Sequence, residues 1–188
     1  EQAGKFSGWV DVPLNETGEN EALEAGRLLK KAGYHFDKAH TSMLIRATKT
    51  CELVLESMGL SKHTKTINHG GSTRGTTDPC KALQERTAGI YGDEQVKLWR
   101  QSYDNPPPFV NYNDKGMAGH PRFDKLYESF AESEHKQMPR GESLKMVRER
   151  ITPYWHEEVC NTLRNLKKEG KDGTVLYVAH EHVLRGMV

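Results

Sequence analysis

Residues able to do chemistry stand at the ends of apolar segments. His180 directly follows the β-rich run GTVLYVA, and in parallel α/β sheets ligand sites collect at the carboxyl ends of strands. It is the best placed of nine histidines, and a histidine quietly bonded at a strand end is the competing reading. Glu181 and His182 beside it complete an H-E-H triplet that hints at a metal. Alternate strand positions point to opposite faces, however, and no third ligand is evident, so no metal site is expected. Arg46, in TSMLIRATKT, follows a strand-like segment at the first turn of a helix. There an anion would meet a guanidinium and backbone N–H groups together, although a solvated helix arginine is the plainer alternative. Ser7 and Gly8, in the SGW triplet, can surround an oxyanion or form a simple turn. Arg100 in KLWRQ is either a phosphate clamp or a surface charge. The stretch HGGSTRGTTDPCKALQ has the composition of an anion-cradling loop, but such a nest sits between a strand and a helix, and the sequence on either side announces neither. An ordinary surface loop is the stronger reading.

Several elements must hold these residues. NETGENEALEAGRLLKK, from Asn15 to Lys31, has a capping residue, early acids, apolar Ala22, Ala25, Leu28 and Leu29, and a late basic pair before Gly33, which predicts a helix. FDKAHTS predicts a short edge strand, and MLIRATKTCELVLESMG a turn and a helix ending at Gly59. A helix over Glu94 to Tyr103 is stopped by DNPPPF, where proline removes donors and forces extended backbone. Ser143 to Lys168 is helical, with Pro153 marking a kink or a second start. GTVLYVA predicts a buried strand. Alternating helices and strands give an α/β layered fold.

Bulk properties narrow the function. The 188 residues suit one domain, residues 1–188. Lys plus Arg total 27 against 26 acids, a formal charge of +1, which argues against nucleic acid or a membrane as an obligatory partner and leaves anion recognition to local clusters. Cys51, Cys80 and Cys160 lack metal spacing and an even count, as in a reducing, cytoplasmic setting. No apolar run approaches the ~20 residues of a membrane span. The chain opens without Met and closes on LRGMV inside an apolar pattern, so a fragment truncated at both ends is expected.

Five blocks, GKFSGWVDVPLNETGENEA, AHTSMLIRATKT, YGDEQVKLWRQSYDNPPP, MPRGESLKMVRERITPYW and VAHEHVLRG, resemble in order and spacing the cofactor-dependent phosphoglycerate mutases of the histidine phosphatase superfamily. The resemblance implies a three-layer α/β/α sandwich and a glycolytic and gluconeogenic isomerase. Such an enzyme interconverts 3- and 2-phosphoglycerate through a phosphohistidine primed by 2,3-bisphosphoglycerate, without a metal. It also implies a small phosphorylated metabolite as partner and a possible homo-oligomer. By the same resemblance Ser7 and Gly8 fall on the substrate-contacting turn, Arg46 on the arginine that grips the transferring phosphoryl group, Arg100 on a substrate-holding arginine, and His180 on the second active-site histidine. Phosphoryl transfer independently calls for a nucleophile, cations around the equatorial oxygens and a proton donor.

The departures are specific. The family's R-H-G-x-S-x-W-N motif, which carries the phosphorylated histidine, is not in the sequence, Gln101 replaces a second arginine, and Glu181-His182-Val183 replaces G-N-S. A carboxylate at that place would repel a phosphate. Where the family reads close to W-R-L-N-E-R-H-Y-G-x-L-Q-G, with Glu as general acid and base, ungapped counting puts Thr73 at the Glu. Reverse translation of W-R-L-N-E-R-H-Y-G-P-L-Q-G with suitable synonymous codons, read one base later, gives G-G-S-T-R-G-T-T-D-P-C-K, identical to Gly70 through Lys81. The tract therefore reads as a frame-shifted catalytic segment, expected to form an exposed irregular loop over residues 70–86. A phosphatase of the same superfamily and a catalytically dead homologue or pseudogene product remain open beside the mutase.

Overall fold

The computed structural model describes residues 12–60, 65–69, 92–106, 142–171 and 173–187. The chain divides into two compact units. One comprises Val12–Thr73 with Arg150–Met187, and the other Glu1–Asp11, Arg74–Glu149 and Val188.

In the first unit, helix α1 spans Glu16–Lys31. Asn15 caps it by accepting the Gly18 N–H at 2.8 Å, while Glu16 and Glu19 meet the positive end of the helix dipole and Lys30 and Lys31 the negative end. Strand β1 (Lys38–Ser42) leads to α2 (Ile45–Met58). Gly59 ends α2 at φ 79°, a left-handed conformation that glycine adopts without a Cβ penalty. Strand β2 (Lys65–His69) and strand β3 (Val175–Val178) both run parallel to β1, in the order β2-β1-β3. The expected edge strand is thus the central one. Its burial explains why: Ala39, His40, Thr41 and Ser42 have no exposed surface, and both of its backbone edges are paired. Strand β2, KTINH, gives little hydrophobic signal and was not expected from the sequence.

The two faces of the sheet are covered by different helices. Ala39 packs with Ala22, Phe36, Cys51, Val54, Leu55 and Met58, and Leu176 and Val178 join that layer. Each large apolar side chain removed from water there contributes about 1.5–3 kcal/mol. Within α1 the inward face is Ala22 and Gly26, whereas Ala25 and Leu28 point outward. Gly26 lets α2 approach closely, since a Cβ there would lie 2.5 Å from the Val54 carbonyl oxygen.

On the opposite face His40 meets Tyr154 and Tyr177 meets Trp155 edge-on. Those partners lie on a helical run made of α4 (Leu144–Tyr154), a π-helical turn (Trp155–Val159) and α5 (Cys160–Lys168). The run continues past Pro153, and the wider turn follows it directly, consistent with the backbone bond that proline cannot make. With helices on both faces of a parallel sheet the unit is a three-layer α/β/α arrangement. Helix α6 (Glu181–Met187) follows β3.

In the second unit, α3 (Asp93–Gln101) begins one residue before the predicted Glu94 and ends two before Tyr103. Ser143 caps the following helix by accepting the Met146 N–H at 3.3 Å, and the Lys145 N–H bonds the Tyr103 carbonyl at 2.7 Å.

Candidate active site

Because β1 and β3 are adjacent and parallel, their carboxyl ends lie side by side. The chain leaving β1 reaches Ser42 and the chain leaving β3 reaches His180, so residues distant in sequence come into contact. Ser42 Oγ lies 2.9 Å from His180 Nε2. The same oxygen accepts the Leu44 N–H at 3.2 Å, immediately before α2. Thr48 donates its hydroxyl to the carbonyls of Ser42 and Leu44, each at 3.2 Å. The β1–α2 corner is therefore closed by its own hydroxyls, and Leu44 provides no side-chain cap.

Arg46 sits in the first turn of α2, one step beyond this corner. Burial, then the charges of Arg46 and Arg150, push the His180 pKa down to about 3. The imidazole is accordingly neutral near pH 7. Two periodicities bear on the position of Arg150. Tyr154, one helical turn later on α4, bonds His40 Nδ1 at 2.7 Å, and four helical residues advance about 6 Å. Two strand residues from His40 to Ser42 advance a comparable distance, about 6.6 Å, on the same face, and the Arg150 charge acts on His180. Two guanidinium groups around a neutral imidazole form a set of N–H donors suited to a tetrahedral oxyanion.

Glu181 opens helix α6 rather than continuing a strand, so the alternation argument for Glu181 and His182 does not apply. Its carboxylate is exposed and lies 3.7 Å from Arg185, which draws its charge toward a partner on its own helix. Among the described residues no group of three His, Cys, Asp or Glu side chains is arranged to hold a metal ion, and no helix is long and apolar enough to cross a membrane.

Of the residues singled out from the sequence, Arg46 is near enough to His180 for its charge to act on the ring. Arg100 lies on α3, with its side chain outside the described residues. Ser7, Gly8, Thr73 and the whole tract 70–86 lie outside them too. Sequence reasoning missed Ser42 and Arg150. Ser42 was legible only as the last residue of KAHTS, and Arg150 only through its spacing from Tyr154. Neither signal means anything until the strand order and the helix register are known.

The N-terminal 1–69 match the histidine phosphatase superfamily (branch 1). The chain is 37% identical over 189 residues to a 2,3-bisphosphoglycerate-dependent phosphoglycerate mutase of Enterococcus faecalis, covering 97% of this chain and 75% of that one. A protein of the same description from Parabacteroides distasonis is 41% identical over 190 residues, covering 98% and 69%. Among solved structures, a phosphoglycerate mutase from Bacillus anthracis aligns with TM-score 0.60 at 22% identity, over 99% of this chain and 71% of that one. A mycobacterial glucosyl-3-phosphoglycerate phosphatase aligns with TM-score 0.60 at 19% identity, over 97% and 70%. These two show the shared fold.

Proposed function

The chain belongs to the 2,3-bisphosphoglycerate-dependent phosphoglycerate mutases of the histidine phosphatase superfamily, and from that membership we propose that it derives from an enzyme interconverting 3- and 2-phosphoglycerate through a phosphohistidine. The observation that carries the proposal is the Ser42–His180 contact at 2.9 Å, which gathers His180 and the first turn of α2 at one end of the sheet. The donors there suit a phosphorylated metabolite, and the Glu181 carboxylate lies beside Arg185 on its own helix. When bound, 2,3-bisphosphoglycerate supplies the priming phosphoryl group. Arg46 and Arg150 hold oxygens of the transferring group, and neutral His180 donates a hydrogen bond to it. By the family resemblance Ser7, Gly8 and Arg100 are assigned to substrate contact.

These 188 residues contain no R-H-G triplet, so they do not include the family's nucleophile, and the general acid–base Glu is displaced by the Gly70–Lys81 tract. Mutase turnover therefore requires two repairs: a segment carrying R-H-G-x-S-x-W-N, and the in-frame reading W-R-L-N-E-R-H-Y-G in place of the tract. Each variant is followed by 31P NMR with 3-phosphoglycerate and catalytic 2,3-bisphosphoglycerate. The 188-residue chain should be silent. The first repair alone should remain impaired by about 10²–10⁴-fold for want of the acid–base group, and both together should give 2-phosphoglycerate. Turnover by the unrepaired chain would overturn the phosphohistidine assignment. Release of inorganic phosphate without isomerisation would make the site a phosphatase, and silence after both repairs would make the chain a dead homologue.

A further inference from the structure

Ser42 belongs to none of the functional roles assigned above, yet it is wholly buried and touches the central histidine. Its hydroxyl has two partners among the described residues, the Leu44 N–H at 3.2 Å and His180 Nε2 at 2.9 Å. The first can only donate to Oγ, because a backbone N–H has no lone pair to offer. The second decides where the hydroxyl hydrogen goes. If Nε2 carried a proton it would also donate to Oγ, and the Ser42 hydrogen would be left in the interior without an acceptor, an arrangement that buried groups avoid. If Nε2 is unprotonated, Ser42 donates to it and the Ser42 hydroxyl is satisfied both as donor and as acceptor.

We infer that Ser42 is a positioning residue that fixes His180 as the neutral tautomer protonated on Nδ1, with Nε2 turned to the sheet and Nδ1–H offered to an anionic ligand.

The second partner of Oγ makes this a fixed orientation. Leu44 belongs to the β1–α2 corner, which Thr48 also ties, so the hydroxyl is held while the ring is added to it. Which ring nitrogen carries the proton is set by the bond the other makes. The charged groups facing His180 agree with a neutral ring: Arg46 from α2 and Arg150 from α4 both disfavour a second proton. The mutase reading enters only in naming phosphate as the acceptor of Nδ1–H.

Long-range 1H–15N correlation spectra of the 15N-labelled chain near neutral pH read the tautomer directly, and His180→Gln identifies the His180 cross-peaks by their loss. The expected pattern is a pyrrole-type Nδ1 and an imine-type Nε2. Ser42→Ala should shift the ring toward the Nε2–H form that free imidazole side chains favour, and Ser42→Thr should keep the original pattern. An Nε2–H pattern in the unaltered chain, or an unchanged Nδ1–H pattern in Ser42→Ala, would overturn the inference. If Ser42→Ala does not fold, the spectrum of the unaltered chain still decides. Failure of the repaired enzyme to turn over would sink the proposed activity and leave this result standing.

Discussion

Tyr154 places its hydroxyl 2.7 Å from His40 Nδ1 in the interior of the molecule, and this one bond ties the central strand to the helix covering its second face. His40 is wholly buried, and its Nε2 finds no partner among the described residues. Burial, and next the Lys38 charge, hold the His40 pKa below its ordinary range, while burial raises that of the Tyr154 phenol. Both members are neutral near pH 7, so the bond acts as a neutral clasp.

Tyr154→Phe should therefore destabilise the fold. The change leaves both ring nitrogens of His40 buried without a partner, at a cost of about 1–3 kcal/mol. Urea unfolding followed by circular dichroism measures it. Combining Tyr154→Phe with His40→Phe should cost less than the two single changes added together, since the polar groups then leave as a pair.

Gly26→Ala should also destabilise, against the usual helix preference. Alanine gains about 1 kcal/mol over glycine inside a helix. Here its Cβ would stand 2.5 Å from the Val54 carbonyl oxygen and 2.8 Å from Ser57 Cβ. A backbone oxygen cannot rotate aside, and overpacking of this kind costs about 1–3 kcal/mol. Ser57 also donates its hydroxyl to the Leu23 carbonyl at 2.8 Å, so separating the helices would weaken that bond as well. A lower thermal midpoint is expected, and a higher one would show that α1 and α2 can part without loss.

Acid should weaken the fold through His180. Its folded pKa, about 3, lies below the ordinary 6.5. Between those values the unfolded chain binds more protons than the native one, so stability is full above about pH 6.5 and declines as pH falls toward 3. The lowered pKa of His40 acts with the same sign. Urea midpoints at about pH 7.5 and about pH 5 should differ, and His180→Gln should shrink the difference. An equal acid loss in that variant would assign the effect to other groups.

Arg46→Ala should lower the affinity for 2,3-bisphosphoglycerate in calorimetry by about 10- to 100-fold, the worth of a charge-assisted hydrogen bond. Arg46→Lys should recover part of it, keeping the charge and losing the planar fork. Unchanged affinity in Arg46→Ala would place the ligand elsewhere.

Glu181→Gln should change that affinity by less than about fivefold. The sequence suggests strong repulsion of phosphate by this carboxylate, but it is exposed and has Arg185 beside it at 3.7 Å. Exposed charges of this kind act weakly through solvent, on the order of 1 kcal/mol or less. A tenfold gain would restore the repulsion argument.

Local chemistry was sufficient to determine several features from the sequence. Asn15 and the acids after it announce the start of α1, Gly59 the end of α2, and the apolar run before His180 the strand that presents it, because caps, left-handed turns and hydrophobic runs depend on near neighbours. The five family blocks likewise carried the family. Only the tertiary structure decided that KAHTS is the central strand, that Ser42 rather than a residue near His180 in sequence holds its imidazole, and that the Arg150 charge reaches His180. Those relations arise from strand order and from the register of α4 against the sheet. They are set by which faces bury one another, a choice that no short stretch of sequence contains.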